Sequence, residues 1–141
     1  MNPNRSIPDC VVIPELAYPD VSEAAVWLCK AFGFQERLRI ANHRAQLTVG
    51  ANGAVVVTER RGAPQGDPQH GIMVRVEDVD GHCERATRCG ATILRPPTDY
   101  PFGERQYTAI DPGGHVWTFS QTIADSDPAS WGGVLFANAD R

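Results

Sequence analysis

Two stripes of apolar residues at helical spacing, each set among strand-like runs, organise the chain. In "PDVSEAAVWLCKAFGF" the residues Ala24, Leu28 and Phe32, joined by Trp27, recur three or four apart and mark one face of a helix. Asp20 can accept from the backbone N–H groups of its first turn, with Glu23 three residues on as in a capping box, and Gly33 supplies a left-handed end. Before this helix "CVVIPEL" is apolar and β-branched and reads as a strand. After it come "FQERLRI", "RAQLTVG" and "AVVVTER", all strand-like, the last two joined by "GANG", whose residues tolerate positive φ.

The second half repeats the order. "GIMVRV" reads as a strand, "EDVDGHCERATRCG" as a helix capped by Asp78 and closed by Gly90, and "ATILRP" as a strand. A longer connection, "PTDYPFG", leads to a hairpin in which "RQYTAI" and "HVWTFSQ" flank "DPGG". The pattern β-α-β-β-β thus occurs twice, with Asp20-Val21 and Asp78-Val79 as matching helix starts. Neither half has enough surface to bury a core alone, so the two pack together. The expected organisation is one α+β domain over 1–141, made of modules 8–60 and 70–122 with a tail over 123–141. Trp131 and "VLF" in that tail call for a docking surface, on this chain or across a partner subunit.

Composition narrows the function classes. A net charge of −4 and the lack of a Lys/Arg stripe argue against a nucleic-acid partner, and Arg60-Arg61 reads as a solvated loop pair. No apolar run is long enough to span a membrane, and the first residues lack the apolar stretch and cleavage site of a signal peptide. Cys10, Cys29, Cys83 and Cys89 form no C-x-x-C pair and read as reduced thiols of a cytoplasmic protein. "GANGAVVVTERRG" has the glycine order of neither phosphate-binding loop, so no nucleotide cofactor is expected, and no nucleophile motif such as G-x-S-x-G occurs. Among the histidines, His43 sits in a turn and His82 on a helix among charges, so both read as exposed. His70, just before a strand, is the one kept as a metal or acid–base candidate.

The doubled β-α-β-β-β order, the helix ending "AFGF" and above all the "GERQYTAIDPGGHVWTF" hairpin resemble the vicinal oxygen chelate superfamily of glyoxalases, bleomycin-resistance proteins and extradiol dioxygenases. In detail the chain is similar to bleomycin-resistance-like and PhnB-like members, over roughly residues 8–122. The resemblance implies two modules whose curved sheets form a cup, completed in a homodimer, with His115 a structural turn residue. It also implies a divalent metal held by the first and last strand of each module, because such an ion needs three or four N or O donors aimed at one point. Counting seven positions back from each helix cap and four on from each turn glycine puts those places at Ile13, Val57, Gly71 and Thr118. None is His, Asp or Glu, so no metal and no cofactor are expected; a shift of register would be needed to bring in His70, Glu59 or Glu15.

What remains is a neutral cup. On the last strand Trp117 and Phe119 share the face that packs under a helix, leaving Thr118 and Ser120 on the cup side. The facing strand depends on the turn: a bulge at Gly114 sets Gln106 and Thr108 beside Thr118, and a plain loop sets Arg105 and Tyr107 there. Arg105 would then bind an anion or serve in a surface ion pair. Tyr100 and Phe102, on the preceding loop, close over a flat ligand or plug the sheet edge. Two functions follow: a metal-free protein that binds a small molecule, an antibiotic among the candidates, or a lyase, isomerase or dioxygenase-type enzyme in which Arg105, Tyr107, Glu59 or Glu104 replace the usual metal.

Overall fold

The computed structural model describes residues 3–60 and 70–135. Its elements run β1 (Glu15–Tyr18), α1 (Val21–Phe32), β2 (Gln35–Ile40), β3 (Arg44–Val49), β4 (Gly53–Glu59), β5 (Ile72–Arg75), α2 (Val79–Arg88), β6 (Thr92–Tyr100), β7 (Glu104–Ile110) and β8 (Val116–Thr122), with a short 3-10 turn at Pro128–Trp131. The expected double βαβββ order is present: one sheet has strand order β1-β4-β3-β2 and the other β5-β8-β7-β6. In each, the first strand pairs parallel with the last and the remaining pairs are antiparallel.

Local chemistry sets the helices as expected. The Asp20 carboxylate accepts from Glu23 N at 2.9 Å, and Gly33, at φ 81°, returns its N–H to Cys29 O. Asp78 accepts from Gly81 N at 3.1 Å in the same way. The strand expected at "CVVIPEL" begins only at Glu15: Val56 N donates to Pro14 O, and Pro14 has no N–H to return, so pairing stops there. Val11 and Val12 are exposed. The connection expected at "PTDYPFG" is instead the second half of β6, which crosses Pro96-Pro97 with its register shifted between Arg95 and Thr98. An edge strand accommodates this, because its outer N–H groups need no partner.

One core joins both modules. Leu16, Tyr18, Leu47, Val55 and Val57 pack under α1, while Tyr107, Ala109, Trp117 and Phe119 pack under α2, and Phe32 lies against Trp117 and Phe119 at centroid distances of 5.6 and 4.8 Å. The helix α2 also caps α1: Arg85 Nε donates to Lys30 O at 2.8 Å, where the carbonyl end of a helix favours a cation. His82, expected to be exposed, is half-buried between the modules, with Nε2 3.0 Å from Phe32 O and Nδ1 2.5 Å from the Tyr107 hydroxyl. The reason is positional, since His82 shares the stripe of Val79, Cys83 and Ala86 that faces the core. Burial lowers its pKa.

A second inter-module contact centres on Asp111, which is 3% exposed. Its Oδ2 accepts from the Tyr18 hydroxyl at 2.6 Å and from Trp117 Nε1 at 3.0 Å, and its Oδ1 from the backbone N–H of Gly113 and His115, both at 2.9 Å. His115 Nε2 reaches Ala17 O at 2.8 Å, and Arg60 Nη2 donates to Gly113 O at 2.6 Å. His115 is thus placed as a turn and docking residue, and Arg60 is tied down rather than loosely solvated. A Cβ on Gly113 would lie 2.3 Å from the Tyr18 ring, so the turn can approach module one only as glycine.

Asp111→Ala leaves four donors without their acceptor and should lower unfolding free energy by about 3 kcal/mol or more, read from urea denaturation. For His82 the folded pKa lies below the unfolded one, so the unfolded state binds the proton first and stability falls as pH drops below about 6.5. His82→Gln should flatten that part of the profile, seen by comparing urea midpoints at about pH 7.5 and about pH 5.

Candidate binding face

Each sheet has one face against its helix and one turned away, here termed open. On module two the open face follows from the hairpin between β7 and β8. Its turn carries a Gly114 N to Asp111 O bond, Gly114 sits at φ 89°, and Asp111 N closes on His115 O, which is a type I turn followed by a bulge. Of the two registers weighed from sequence, this gives the first: Gln106 faces Ser120 and Thr108 faces Thr118.

The side chains on that face form a connected set. Thr108 and Thr118 hydroxyls are 3.1 Å apart. Gln106 Nε2 donates to Ser120 Oγ at 3.0 Å, and Ser120 Oγ donates to Glu104 Oε1 at 2.6 Å. Tyr100 pairs with Glu104 across β6 and β7, so it stands on the same face, and its hydroxyl accepts from Arg95 Nη1 at 2.8 Å. Phe102 stacks on Tyr100 at 5.3 Å and 10°, and Trp131 meets Phe102 edge-on at 5.7 Å. Within the described residues the start of the tail docks on this chain's own turn, with Ser126 Oγ donating to Pro101 O, and Phe136 of the expected docking stretch lies outside those residues. Six of the expected residues, Tyr100, Phe102, Gln106, Thr108, Thr118 and Ser120, thus lie on or at the rim of one face.

Two do not. Tyr107 is fully buried on the opposite face, stacked on Phe119 and bonded to His82, and burial raises its pKa. Arg105 lies on that side too, paired with Asp80 of α2 and with Asp99, each at 3.0 Å. The side-chain alternation that carries Gln106 to the open face carries both away from it. The aromatic Trp131 was the member of this face that sequence reasoning left out of the site, and Glu104, weighed there only as a stand-in for the metal in an enzyme, joins the face through the alternation 104, 106, 108.

The positions where a metal would be held do not supply donors. Val57 faces α1 and is fully buried, a correction to the register expected from counting. The cause lies in the choice of glycine: Gly53 is already paired in its strand and stands three residues before Val56, whereas Gly114 lies inside its turn and stands four before Thr118, so equal counts from the two reach opposite faces. Val56 takes the equivalent place, since Glu15 pairs with Val56 as Met73 pairs with Thr118. Ile13, Val56, Gly71 and Thr118 offer one hydroxyl among them. Glu15 is paired with Arg44 on the open face, Glu59 stands across from Tyr18 on the other and lies near His43, and His70 is exposed. Among the described residues no three His, Cys, Asp or Glu side chains converge.

A cleft of about 370 Å³ lies between the β3–β4 turn and β5, lined from both faces by residues that include Pro14, Asn52, Ala54, Met73, Arg75 and Trp117. Another cavity of about 370 Å³ lies on the helix side, between the first turns of α1 and the 111–114 turn, walled by Ala24, Trp27 and Leu28 among others. Neither cavity is lined by the connected hydroxyl and aromatic set, and the open face is the candidate site on the strength of its polar and aromatic groups rather than of an enclosed volume. The four cysteines are unpaired and half-buried, and burial raises the thiol pKa of Cys29 and Cys83, which leaves them poor nucleophiles.

Among solved structures the chain is similar to TioX from Micromonospora sp. ML1, at 36% identity and a TM-score of 0.68, over 79% of this chain and 98% of that one. It shares its fold with a lactoylglutathione lyase from Agrobacterium tumefaciens, at 17% identity and a TM-score of 0.61, over 89% and 98% of the two chains. An uncharacterized protein of Mycobacterium tuberculosis is 35% identical over 54 residues, which is 38% of this chain and about a third of that relative's length (32%). The family model of the Glyoxalase/Bleomycin resistance protein/Dioxygenase superfamily matches residues 9–119, spanning both modules into β8, and the chain belongs to that superfamily.

Proposed function

We propose that the protein binds a small molecule on the open face of module two without a metal, in the manner of the bleomycin-resistance-like and PhnB-like branch of its superfamily. The observation that carries this reading is the neutral hydrogen-bonding row Gln106, Thr108, Thr118 and Ser120 ending at the Tyr100–Phe102–Trp131 aromatic group. Hydroxyls and a carboxamide orient a ligand, and stacked rings supply area for a flat or apolar one. Sequestration of an antibiotic or a molecule of similar chemistry, by a cytoplasmic homodimer, is the biological role this suggests.

Glu104 favours a second reading. Its carboxylate holds the Ser120 hydroxyl on the open face. It stands where a general base would act on a bound carbonyl compound, which is the lyase or isomerase alternative.

Thermal-shift screening with aromatic and amphipathic antibiotics should find a stabilising ligand. For it, Tyr100→Ala and Gln106→Ala should each weaken binding about tenfold, roughly 1.4 kcal/mol, in calorimetric titration, and Arg105→Ala should leave it unchanged. A ligand lost with Arg105→Ala but kept in both other variants would place binding on the helix side and defeat the proposal. Conversion of that ligand, abolished in Glu104→Gln, would select the enzyme reading. Elemental analysis of protein purified without chelator should show no stoichiometric metal. A Gly71→His/Thr118→Glu variant should acquire zinc affinity measurable by titration, because a Cβ at Gly71 meets nothing closer than 3.5 Å and both positions lie on the open face.

A further inference from the structure

The two open faces are not in the same state. On module two Gln106, Thr108 and Thr118 are half-exposed, and Ser120, held between Gln106 and Glu104, is the buried one of the row. On module one Gln46, Ala54 and Val56 are 7%, 4% and 4% exposed, although they too point away from the helix. The segment before β1 lies over Gln46 at the centre of that face. Gln46 Nε2 donates to Ser6 O at 2.9 Å, and Gln46 is the direct cross-strand neighbour of Val56. Arg37 Nη2 donates to Arg5 O at 2.9 Å, while its Nη1 donates to Gln46 Oε1 at 2.5 Å. A guanidinium and a carboxamide, fixed to one another, thus present two donors to two consecutive carbonyls. Pro8 is buried.

Little else fastens this segment. Ile7 is half-exposed, Val11 and Val12 are exposed, and the remaining long-range bond is a weak one from Cys10 Sγ to Asn52 O at 3.5 Å. A cavity of about 450 Å³ opens between the segment and Arg37. Few buried apolar contacts and a cavity alongside are the marks of a part that opens at low free energy. The paired donors have the opposite character. They are preorganised by their own hydrogen bond and aimed at acceptors, as binding groups are.

We propose that the open face of module one is a second binding site, filled in this structure by residues 3–10 of the chain itself, and that it takes molecules bearing adjacent carbonyl acceptors and a compact apolar ring once that strap lifts. The strap shows the chemistry of the ligand, since Arg5 O and Ser6 O occupy the acceptor places and Pro8 the buried one. The proposal rests on the reading that open faces bind ligands, yet it concerns the other module and other residues.

The first test uses the full chain. The Arg5–Ser6 bond is a trypsin site, and its cleavage rate follows the population of the lifted strap when opening is fast. An Arg37→Ala/Gln46→Ala variant should be cut there at least about tenfold faster, followed by mass spectrometry of that bond, with an unchanged cooperative melt. Equal rates in both proteins would overturn the proposal. The second test removes residues 2–10. That variant should bind anilinonaphthalene sulfonate at a new saturable site, a synthetic peptide of residues 3–12 should displace the dye, and adding Arg37→Ala/Gln46→Ala should abolish the displacement. Loss of cooperative melting on deletion would make the segment part of the core. A dimer that binds neither dye nor peptide would make the face an interface with a second copy. Either outcome overturns the proposal. Peptide binding here alongside a failed ligand screen on the Tyr100 and Gln106 face would defeat the function proposed for module two and leave this one standing.

Discussion

The arrangement depends on one buried carboxylate. Asp111 is nearly sealed from water, and an ion in that position is tolerated only when donors surround it. Four do, and one of them, the Tyr18 hydroxyl, comes from the other module. The same residue therefore holds its own turn in shape and ties β8 to β1. Burial and the adjacent carboxylate both raise the Tyr18 pKa, so the phenol stays protonated and keeps donating. Proximity demands the rest of the turn: glycine where the Tyr18 ring presses, and a histidine that reaches the Ala17 carbonyl.

From that anchor the division of labour between faces follows. With Trp117, Phe119 and Tyr107 committed to the helix side, the other side of β7 and β8 carries Glu104, Gln106, Thr108, Thr118 and Ser120, with Ile110 and Val116 beside the turn. The open face is thus polar at its centre, and its hydroxyls are ordered by pairing with each other. Module one follows the same rule with a different result: its open face carries Ala54, Val56 and Gln46 and is covered by the chain that leads into it.

Local signals were legible where physics is local. Asp20, Gly33 and Asp78 announced their helix ends, and the repeat announced the architecture. His82 could have been read from its spacing with Val79 and Ala86, but the charged residues between them dominate the impression. The face of Val57 was not readable, because it turns on where the glycine sits in each hairpin: Gly53 is already a paired strand residue, whereas Gly114 lies inside its turn. Whether Gln106 and Thr108 or Arg105 and Tyr107 stand beside Thr118 was open in the sequence, because one left-handed glycine decides the register of a whole strand. Tyr100 was a candidate but its place in a strand was hidden by Pro96-Pro97, which resemble a loop and are in fact a tolerated irregularity at a sheet edge. The strap over module one has no periodicity at all, and its placement rests on two distant donors.

That irregular edge has a consequence for how the protein behaves in a crowded solution. A free sheet margin is a template on which another chain can lay down a strand, and it is most hazardous while the sheet is only partly assembled. On β6 two successive residues have no N–H to offer, and the ladder is kinked just where they fall. An incoming strand would find the donor row interrupted midway and could not continue past it. The margin of the other sheet, β2, carries Glu36, Arg37 and Arg39 instead. The molecule thus guards its β6 border by removing donors and its β2 border by placing charge, two independent defences against fibrous self-assembly at the far margins of its two sheets.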